Sequence, residues 1–415
     1  MHNTHYFDAG ALLHGLAVAN QWRVAVLADE AHNLIERARK MYTAELDQAS
    51  LHFLRQSAPL ALKKSLDRLH RSWNALNGKQ EESYRVYPEV PAKFAAALQQ
   101  AIVDITDYLA ENPTYVDGNL QRFYFDAQHF SRLLESFDTH SLFDMTIDGG
   151  YRKPQSLLCI RNIIPAPFLA PRFATAHSAT LFSATLSPWH FYSDTLGLPE
   201  KTVCVNVESP FSAEQLSVQI VADVSTRFRH RDASIAPIIE LIAAQYEERP
   251  GNYLAFFSSF DYLQQTVELF RSRYPAIPVW EQSRRMEEVE REQFLARFTP
   301  DGRGIGFAVL GGSFAEGIDL PGERLVGAFI ATLGLPQFNP VNEQIRERME
   351  TTFGAGYDYT YLYPGIQKVV QAAGRVIRTQ MDRGVVYLID DRFARPEVLR
   401  LLPGWWKMGR YRPKQ

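Results

Sequence analysis

Near the end of the chain, Gln371, Gly374, Arg375 and Arg378 fall at i, i+3, i+4 and i+7, the spacing that puts all four on one face of a helix. Two arginines on such a face can clamp a triphosphate and stabilise charge that develops during its hydrolysis. The plainer alternative is a solvated basic face. A glycine in mid-helix costs about 1 kcal/mol relative to alanine, so it usually marks close approach of something to that face. Near the other end, a short apolar run at 22–28 is followed at once by Asp29-Glu30-Ala31-His32. Open parallel sheets bind ligands off the carboxyl ends of their strands. Nucleotide hydrolysis needs one carboxylate to hold the Mg²⁺ shell and a second to orient and deprotonate water. Adjacent acids at a strand end supply both, although acids also favour the first turn of a helix, which could begin at Ala31.

Three further segments sit between these. Ser183-Ala184-Thr185 follows an apolar run and places short hydroxyls where a strand would enter a cleft, or where a helix would be capped. Phe256-Phe257-Ser258-Ser259 ends a strand-like run and opens a helical one, so its hydroxyls and free N–H groups could receive a phosphate or serve as a cap. The stretch from Gly311 to Asp319, which contains Ser313, Glu316 and Gly317, joins a flexible loop to two acids and a hydroxyl, or is a simple Gly-rich turn.

The elements that must position these residues show three textures. The run at 22–28 is β-branched and apolar, as expected of a strand buried on both faces of a parallel sheet. From about 45 to 150 the pattern is helical throughout: Phe94, Leu98, Ile102, Ile105 and Leu109 step along one helix face, and 51–76 and 120–137 carry similar stripes. From about 155 onward short apolar strands alternate with longer helical patterns, the mark of βαβ units in a parallel sheet. Strands are expected at 156–160, 179–182, 217–222, 253–257, 305–310, 325–330 and 385–389, and helices at 233–246, 262–274, 286–298 and 365–379. The expected fold is therefore α/β with an all-helical insertion.

With 415 residues the chain suits about two to four domains. Its 44 Lys and Arg against 47 Asp and Glu leave a net charge of −3, which neither favours nor excludes nucleic acid, because a basic groove can be balanced elsewhere. No apolar stretch reaches the length of a membrane span and the first residues lack a signal-peptide pattern, so a cytoplasmic protein with no membrane partner is expected. Two cysteines, Cys159 and Cys204, cannot build a disulfide framework or a four-cysteine cluster. A metal hydrolase or metabolic enzyme would show a His-Glu-x-x-His helix or a Gly-x-Ser-x-Gly elbow, and neither is present. The tail from Trp405 to Lys414 interleaves aromatic and basic residues, which suits either a nucleic-acid backbone contact or a packed terminus.

Taken in order, Asp-Glu-Ala-His, Ser-Ala-Thr, Gly-Ser-x-x-Glu-Gly-x-Asp and Gln-x-x-Gly-Arg-x-x-Arg resemble the motifs of the superfamily 2 helicases. The long insertion between the first two narrows the resemblance to the XPD/DinG branch of DNA helicases. That resemblance implies two RecA-like motor domains, an arch, and ATP-driven 5′-to-3′ translocation on single-stranded DNA with unwinding of duplex or forked DNA, in a monomer with a role in DNA repair. The implied domains are 1–45 and 153–205 for an incomplete first motor domain, 46–152 for the arch, and 206–415 for the second motor domain. It assigns Asp29 and Glu30 to Mg²⁺–ATP and the attacking water, and His32, Ser183 and Thr185 to coupling. Glu316, Gly317, Asp319, Gln371, Arg375 and Arg378 go to the nucleotide, with the arginines at the γ-phosphate. Ser259 and Ser313 are the modest candidates for DNA phosphates.

One motif of that family is missing. A phosphate-binding loop ending in Gly-Lys-Thr or Gly-Lys-Ser is not in the sequence; the only Gly-Lys is Gly78-Lys79, followed by Gln80. The family's four cluster cysteines are absent too, and both elements normally precede the Asp-Glu-Ala-His motif. The expectation is the back part of a longer helicase, with any 4Fe–4S cluster in that longer parent. The alternative is a short protein that binds DNA or a partner without hydrolysing ATP. A truncated motor domain would expose apolar sheet edges, which weighs against the alternative.

Overall fold

Among its described residues the first unit, 1–203, takes its shape from six strands: β1 (Ala25–Ala28), β2 (Ala44–Asp47), β3 (Tyr84–Tyr87), β4 (Ser141–Asp148), β5 (Gln155–Asn162) and β6 (Ser178–Leu181). The computed structural model describes residues 7, 12–148, 155–312, 314 and 318–412. β1 and β6 pair in parallel, from Ala25 opposite Ser178 to Ala28 opposite Leu181. Side chains alternate along β1, so Val26 and Ala28 are buried while Ala25 and Leu27 face outward, Leu27 at 66% exposure. The first strand is thus buried on one face, not on both as its composition suggested, because among the described residues no layer covers its other face.

The insertion is not helical throughout. β2, β5, β4 and β3 form a four-stranded antiparallel sheet in that order, with Phe143 opposite Ile160 at its centre. The helices Gln48–Ser57, Lys63–Asn77, Ala92–Glu111 and Gly118–Glu135 pack with it, and the expected stripe Phe94, Leu98, Ile102 and Ile105 is buried. Trp73 is fully buried and its indole Nε1 donates to Ser156 Oγ at 2.7 Å, pinning a helix to β5. β4 escaped detection because Asp144 interrupts its apolar run. That carboxylate is 1% exposed and is held by the Arg161 guanidinium of the neighbouring strand at 2.9 Å. The strand foreseen at 156–160 exists, but it belongs to this antiparallel sheet and not to a βαβ unit.

The second unit, 204–415, is a seven-stranded parallel sheet of β7 (Leu216–Val221), β8 (Asn252–Phe257), β9 (Val279–Glu281), β10 (Gly304–Val309), β11 (Gly327–Ala331), β12 (Gly384–Ile389) and β13 (Lys407–Arg410). The order across the sheet is β13-β7-β12-β11-β8-β10-β9. Period-two alternation divides its apolar residues between two cores. Leu254, Phe256, Ala328, Ile330 and Val386 meet the helix Tyr363–Ala373 on one face. Tyr253, Phe257, Phe307, Phe329 and Tyr387 meet the helices Arg231–Glu248 and Phe260–Arg273 on the other. A sheet covered on both faces is what near-continuous apolar strands require. The aromatic tail is packed: Trp406 is 5% exposed and β13 closes one edge in parallel with β7. The α/β, RecA-like class expected from the sequence stands; the all-helical insertion does not.

Candidate nucleotide site

Past their last paired residues, β1 and β6 stay joined, since Phe182 N–H donates to Ala28 O at 3.0 Å and Ala31 N–H donates to Phe182 O at 3.2 Å. This brings Asp29-Glu30 beside Ser183-Ala184-Thr185. The acids stand at the head of a 3-10 turn that runs directly into a helix, but Glu30 makes no side-chain cap bond there. Glu30 sits in the left-handed region at φ 49° and ψ 43°, a conformation that costs a non-glycine residue about 1 to 2 kcal/mol, and a 3-10 turn at Ala31–Asn33 separates it from the helix Leu34–Met41. Glu30 N–H donates to Asp29 Oδ1 at 2.7 Å, and both residues are exposed. Strain of this kind persists where surrounding structure over-determines it and clusters at functional sites.

His32, 4% exposed, joins the two segments. Its Nδ1 lies 2.6 Å from Ser183 Oγ and 3.2 Å from Glu30 Oε2. Ser183 Oγ lies 3.5 Å from Glu30 Oε2 and 3.4 Å from Thr185 Oγ1, and accepts from Thr185 N–H at 3.1 Å. Tyr192 donates from its hydroxyl to Thr185 O at 3.0 Å, and burial pushes that phenol's pKa up. Ser-Ala-Thr is therefore not a helix cap: the following helix, Trp189–Leu196, is preceded by Pro188. Two pairs of sequence candidates at least 151 positions apart, Glu30 and His32 on one side and Ser183 and Thr185 on the other, form one hydrogen-bonded chain that runs from an exposed carboxylate into the unit.

In the second unit the predicted helix at 365–379 stops early. It spans Tyr363–Ala373 and ends at Gly374, whose added Cβ would stand 3.2 Å from Val370 O. The glycine thus meets its own helix's carbonyls, and Arg375 lies on the turn that follows, with Arg378 in the irregular segment beyond it, rather than on a helix face. Gln371 is half-buried on the last helical turn. Arg375 Nη1 and Arg378 Nη2 both donate to Ile318 O, at 2.8 and 2.9 Å, and Arg378 Nε stands 3.5 Å from Asp319 Oδ1. Motif arginines and the loop before them are tied through one backbone carbonyl. Ser313, Glu316 and Gly317 lie outside the described residues.

Asp382, which sequence reasoning passed over, holds this turn in place. Its carboxylate accepts from Arg378 N–H at 2.7 Å, Thr379 N–H at 2.8 Å and Thr379 Oγ1 at 2.6 Å. An acid three residues after a threonine in a turn was the available signal. Burial works to raise the Asp382 pKa, but the Thr379 hydroxyl and the backbone N–H groups outweigh it and hold the carboxyl below its ordinary value. A depressed folded pKa contributes stability that is complete above the unfolded value of about 3.9 and is lost as pH falls through the folded value. Urea unfolding followed between about pH 5 and 2 should therefore show a steeper acid loss in the native chain than in Asp382→Asn; matching slopes would contradict this.

Ser259, the DNA candidate, caps the helix Phe260–Arg273 by accepting from Tyr262 N–H at 3.3 Å, while Ser258 Oγ accepts from Arg231 Nη2 at 2.9 Å. Among the described residues no group of three or more His, Cys, Asp and Glu could hold a metal alone. Mg²⁺ binds through one or two carboxylates plus substrate phosphates, and the exposed Asp29–Glu30 pair fits that use. A 4Fe–4S cluster does not fit: Cys159 is buried and Cys204 exposed, and four thiolates are needed. Among the described residues no helix is long and apolar enough to cross a membrane.

Residues 242–409 match the helicase C-terminal domain family. The chain is 28% identical over 274 residues to a probable ATP-dependent helicase of Methanocaldococcus jannaschii, covering 59% of this chain and 39% of that protein. It is 26% identical over 273 residues to the ATP-dependent DNA helicase chl-1 of Caenorhabditis elegans, covering 58% and 31%. It is 24% identical over 267 residues to the XPD helicase subunit of general transcription and DNA repair factor IIH of Arabidopsis thaliana, covering 57% and 33%. The matches thus span roughly a third of those relatives' lengths. An apo XPD structure superposes on 98% of this chain and 80% of its own with a TM-score of 0.60 at 18% identity, and S. tokodaii Xpd4 on 94% and 76% with 0.59 at 16%. At such identities the likeness concerns the fold.

Proposed function

The chain resembles the XPD-type helicases, and from that premise we propose that it forms the motor portion of an ATP-dependent DNA helicase of the XPD/DinG type. It couples ATP hydrolysis to 5′-to-3′ movement on single-stranded DNA and to opening of duplex or forked DNA, as a cytoplasmic monomer. The observation that carries this reading is the chain from Glu30 through His32 to Ser183 and Thr185. It gives the residue that would activate water a direct link to the neighbouring strand end. Asp29 holds the Mg²⁺ shell, Glu30 orients and deprotonates the attacking water, and His32 reports the state of Glu30 to Ser183. Mg²⁺ carried in with ATP would supply counter-charge to the phosphates. Arg375 and Arg378 stabilise charge developing on the γ-phosphate, with Gln371, Glu316, Gly317 and Asp319 lining the nucleotide. Ser259, through the hydroxyl hydrogen its cap leaves free, and Ser313 contact DNA phosphates.

A second reading, a nucleic-acid- or partner-binding protein without ATPase activity, is favoured by the missing Gly-Lys-Thr or Gly-Lys-Ser loop among the 415 residues. Calorimetry separates the parts of this question. ATP should bind residues 1–415 with a Kd of about 1 mM or weaker, because half of the phosphate cradle is absent. The polypeptide taken from its own cells should hydrolyse ATP when single-stranded DNA is added and should open a fork with a 5′ tail. Micromolar, Mg²⁺-dependent binding by residues 1–415 would overturn the first expectation. A native polypeptide that binds DNA but never turns over ATP would establish the second reading.

A further inference from the structure

We propose that the loop joining β7 to the helix Arg231–Glu248 is a contact for single-stranded nucleic acid, in which Phe228 stacks on a base and Arg229 and Arg231 meet the flanking phosphates. The proposal deepens the helicase reading and rests on it. Residues 225–231 read Ser-Thr-Arg-Phe-Arg-His-Arg, three arginines and a histidine around one aromatic ring with no acid among them. Phe228 is 81% exposed. A single exposed apolar residue is ordinary; this one is held in a fixed pose. The Arg231 guanidinium stands over the Phe228 ring at 5.2 Å and over the Tyr262 ring at 5.4 Å, and is itself fixed by its bond to Ser258 Oγ. One face of the Phe228 ring therefore carries a cation, and the exposure of the residue leaves the other open.

The loop's base is anchored at a neighbouring strand end. Thr226 N–H donates to Asp390 Oδ2 at 2.9 Å, the Thr226 hydroxyl bonds the same carboxylate, and Arg227 pairs with Asp391 at 2.5 Å. Asp390 and Asp391 follow β12 directly, while Ser258 follows β8, so Phe228 is displayed off the carboxyl ends of three parallel strands. That face is where open α/β sheets bind ligands. Asp391 neutralises Arg227, but among the described residues neither Arg229 nor Arg231 has a carboxylate within ion-pair distance, and Arg231 Nε is buried without a partner. Two uncompensated guanidinium groups flanking a preorganised ring match a polynucleotide strand: the ring takes a base face, which is exposed only when the strand is single, and the cations take phosphates.

The test is a titration of residues 1–415 with a fluorescein-labelled oligothymidylate of about 15 nucleotides, followed by anisotropy at several salt concentrations. Phe228→Ala should weaken binding about tenfold with little change in salt slope, and Phe228→Tyr should restore most of the loss. Arg229→Ala should lower the salt slope by about one. Because both side chains are exposed, unchanged thermal unfolding will show that the fold is intact. If the unaltered chain binds the oligonucleotide and Phe228→Ala binds equally well, the inference is overturned while the helicase reading stands. If the unaltered chain binds no oligonucleotide, the helicase reading itself fails and the inference with it. A duplex that binds as well and loses as much on Phe228→Ala would overturn base stacking.

Discussion

Substituting Glu30 by glutamine in the native polypeptide is expected to lower DNA-stimulated ATP turnover by about 10²- to 10⁴-fold, the contribution of a positioned general base. Glutamine keeps the shape and a hydrogen-bonding oxygen beside His32 Nδ1 but cannot take a proton from water. Arg378→Ala should cost about 10³-fold or more by removing charge stabilisation at the transferred phosphate. It also takes one of the two arginine donors from Ile318 O and the cation facing Asp319, leaving Arg375 Nη1 on that carbonyl. Both variants should bind single-stranded DNA about as well as the parent, since neither residue is placed at the strand. Phosphate release measured alongside oligonucleotide anisotropy separates the two effects. Undiminished turnover in either variant would remove that residue from the catalytic assignment.

The second large effect is on folding. Asp390 has no exposed surface and accepts from Thr226 N–H, from the Thr226 hydroxyl, from Arg392 N–H at 2.9 Å, and from Arg392 Nε and Nη2 at 2.6 and 3.0 Å. Burial works to raise its pKa, but the Arg392 hydrogen bond and charge and the Thr226 hydroxyl hold it below the ordinary value. Asp390→Ala would strand the Arg392 guanidinium, whose side chain is 14% exposed, without its counter-charge. Breaking one side of such a pair costs about 3 to 5 kcal/mol. Urea unfolding should show that loss, with a smaller one for Asp390→Asn, which keeps part of the hydrogen bonding. A change under about 1 kcal/mol in Asp390→Ala would mean that Arg392 finds solvent and that the network adds little.

The parallel sheet of the second unit was readable because its strands are short apolar runs buried on both faces, and β8, β10 and β12 fall within a residue or two of where composition places them. Residues 141–148 were not readable. A buried ion pair lets Asp144 stand in a strand interior, and only the partner strand, with Arg161, supplies the reason. The helix that overran Gly374 did so because Val376 and Ile377 continue its apolar period. Both are buried, but on a turn that Asp382 draws away from the helix axis through Arg378 and Thr379 N–H. At the candidate site, residue types and order pointed to Glu30, His32, Ser183 and Thr185, and the structure brings these four together. The anchor for Arg375 and Arg378 is the carbonyl of Ile318, a group that every residue possesses and that no sequence pattern can single out.

Among the described residues β1 pairs with β6 alone, and this has a consequence for timing. Two-stranded sheets are marginal in water, and the outward face of β1, with Leu27 uncovered, adds little apolar burial to hold it. Such segments occupy the low end of a protein's scale of local opening, so their amide hydrogens exchange well before those of a doubly covered sheet such as β8 and β11. Because Asp29 and Ser183 hang from the ends of this pair, each opening of it parts His32 from Ser183. The lifetime of the link between carboxylate and hydroxyl is therefore set by the fraying of eight paired backbone residues, and whatever lies along β1 or β6 lengthens it.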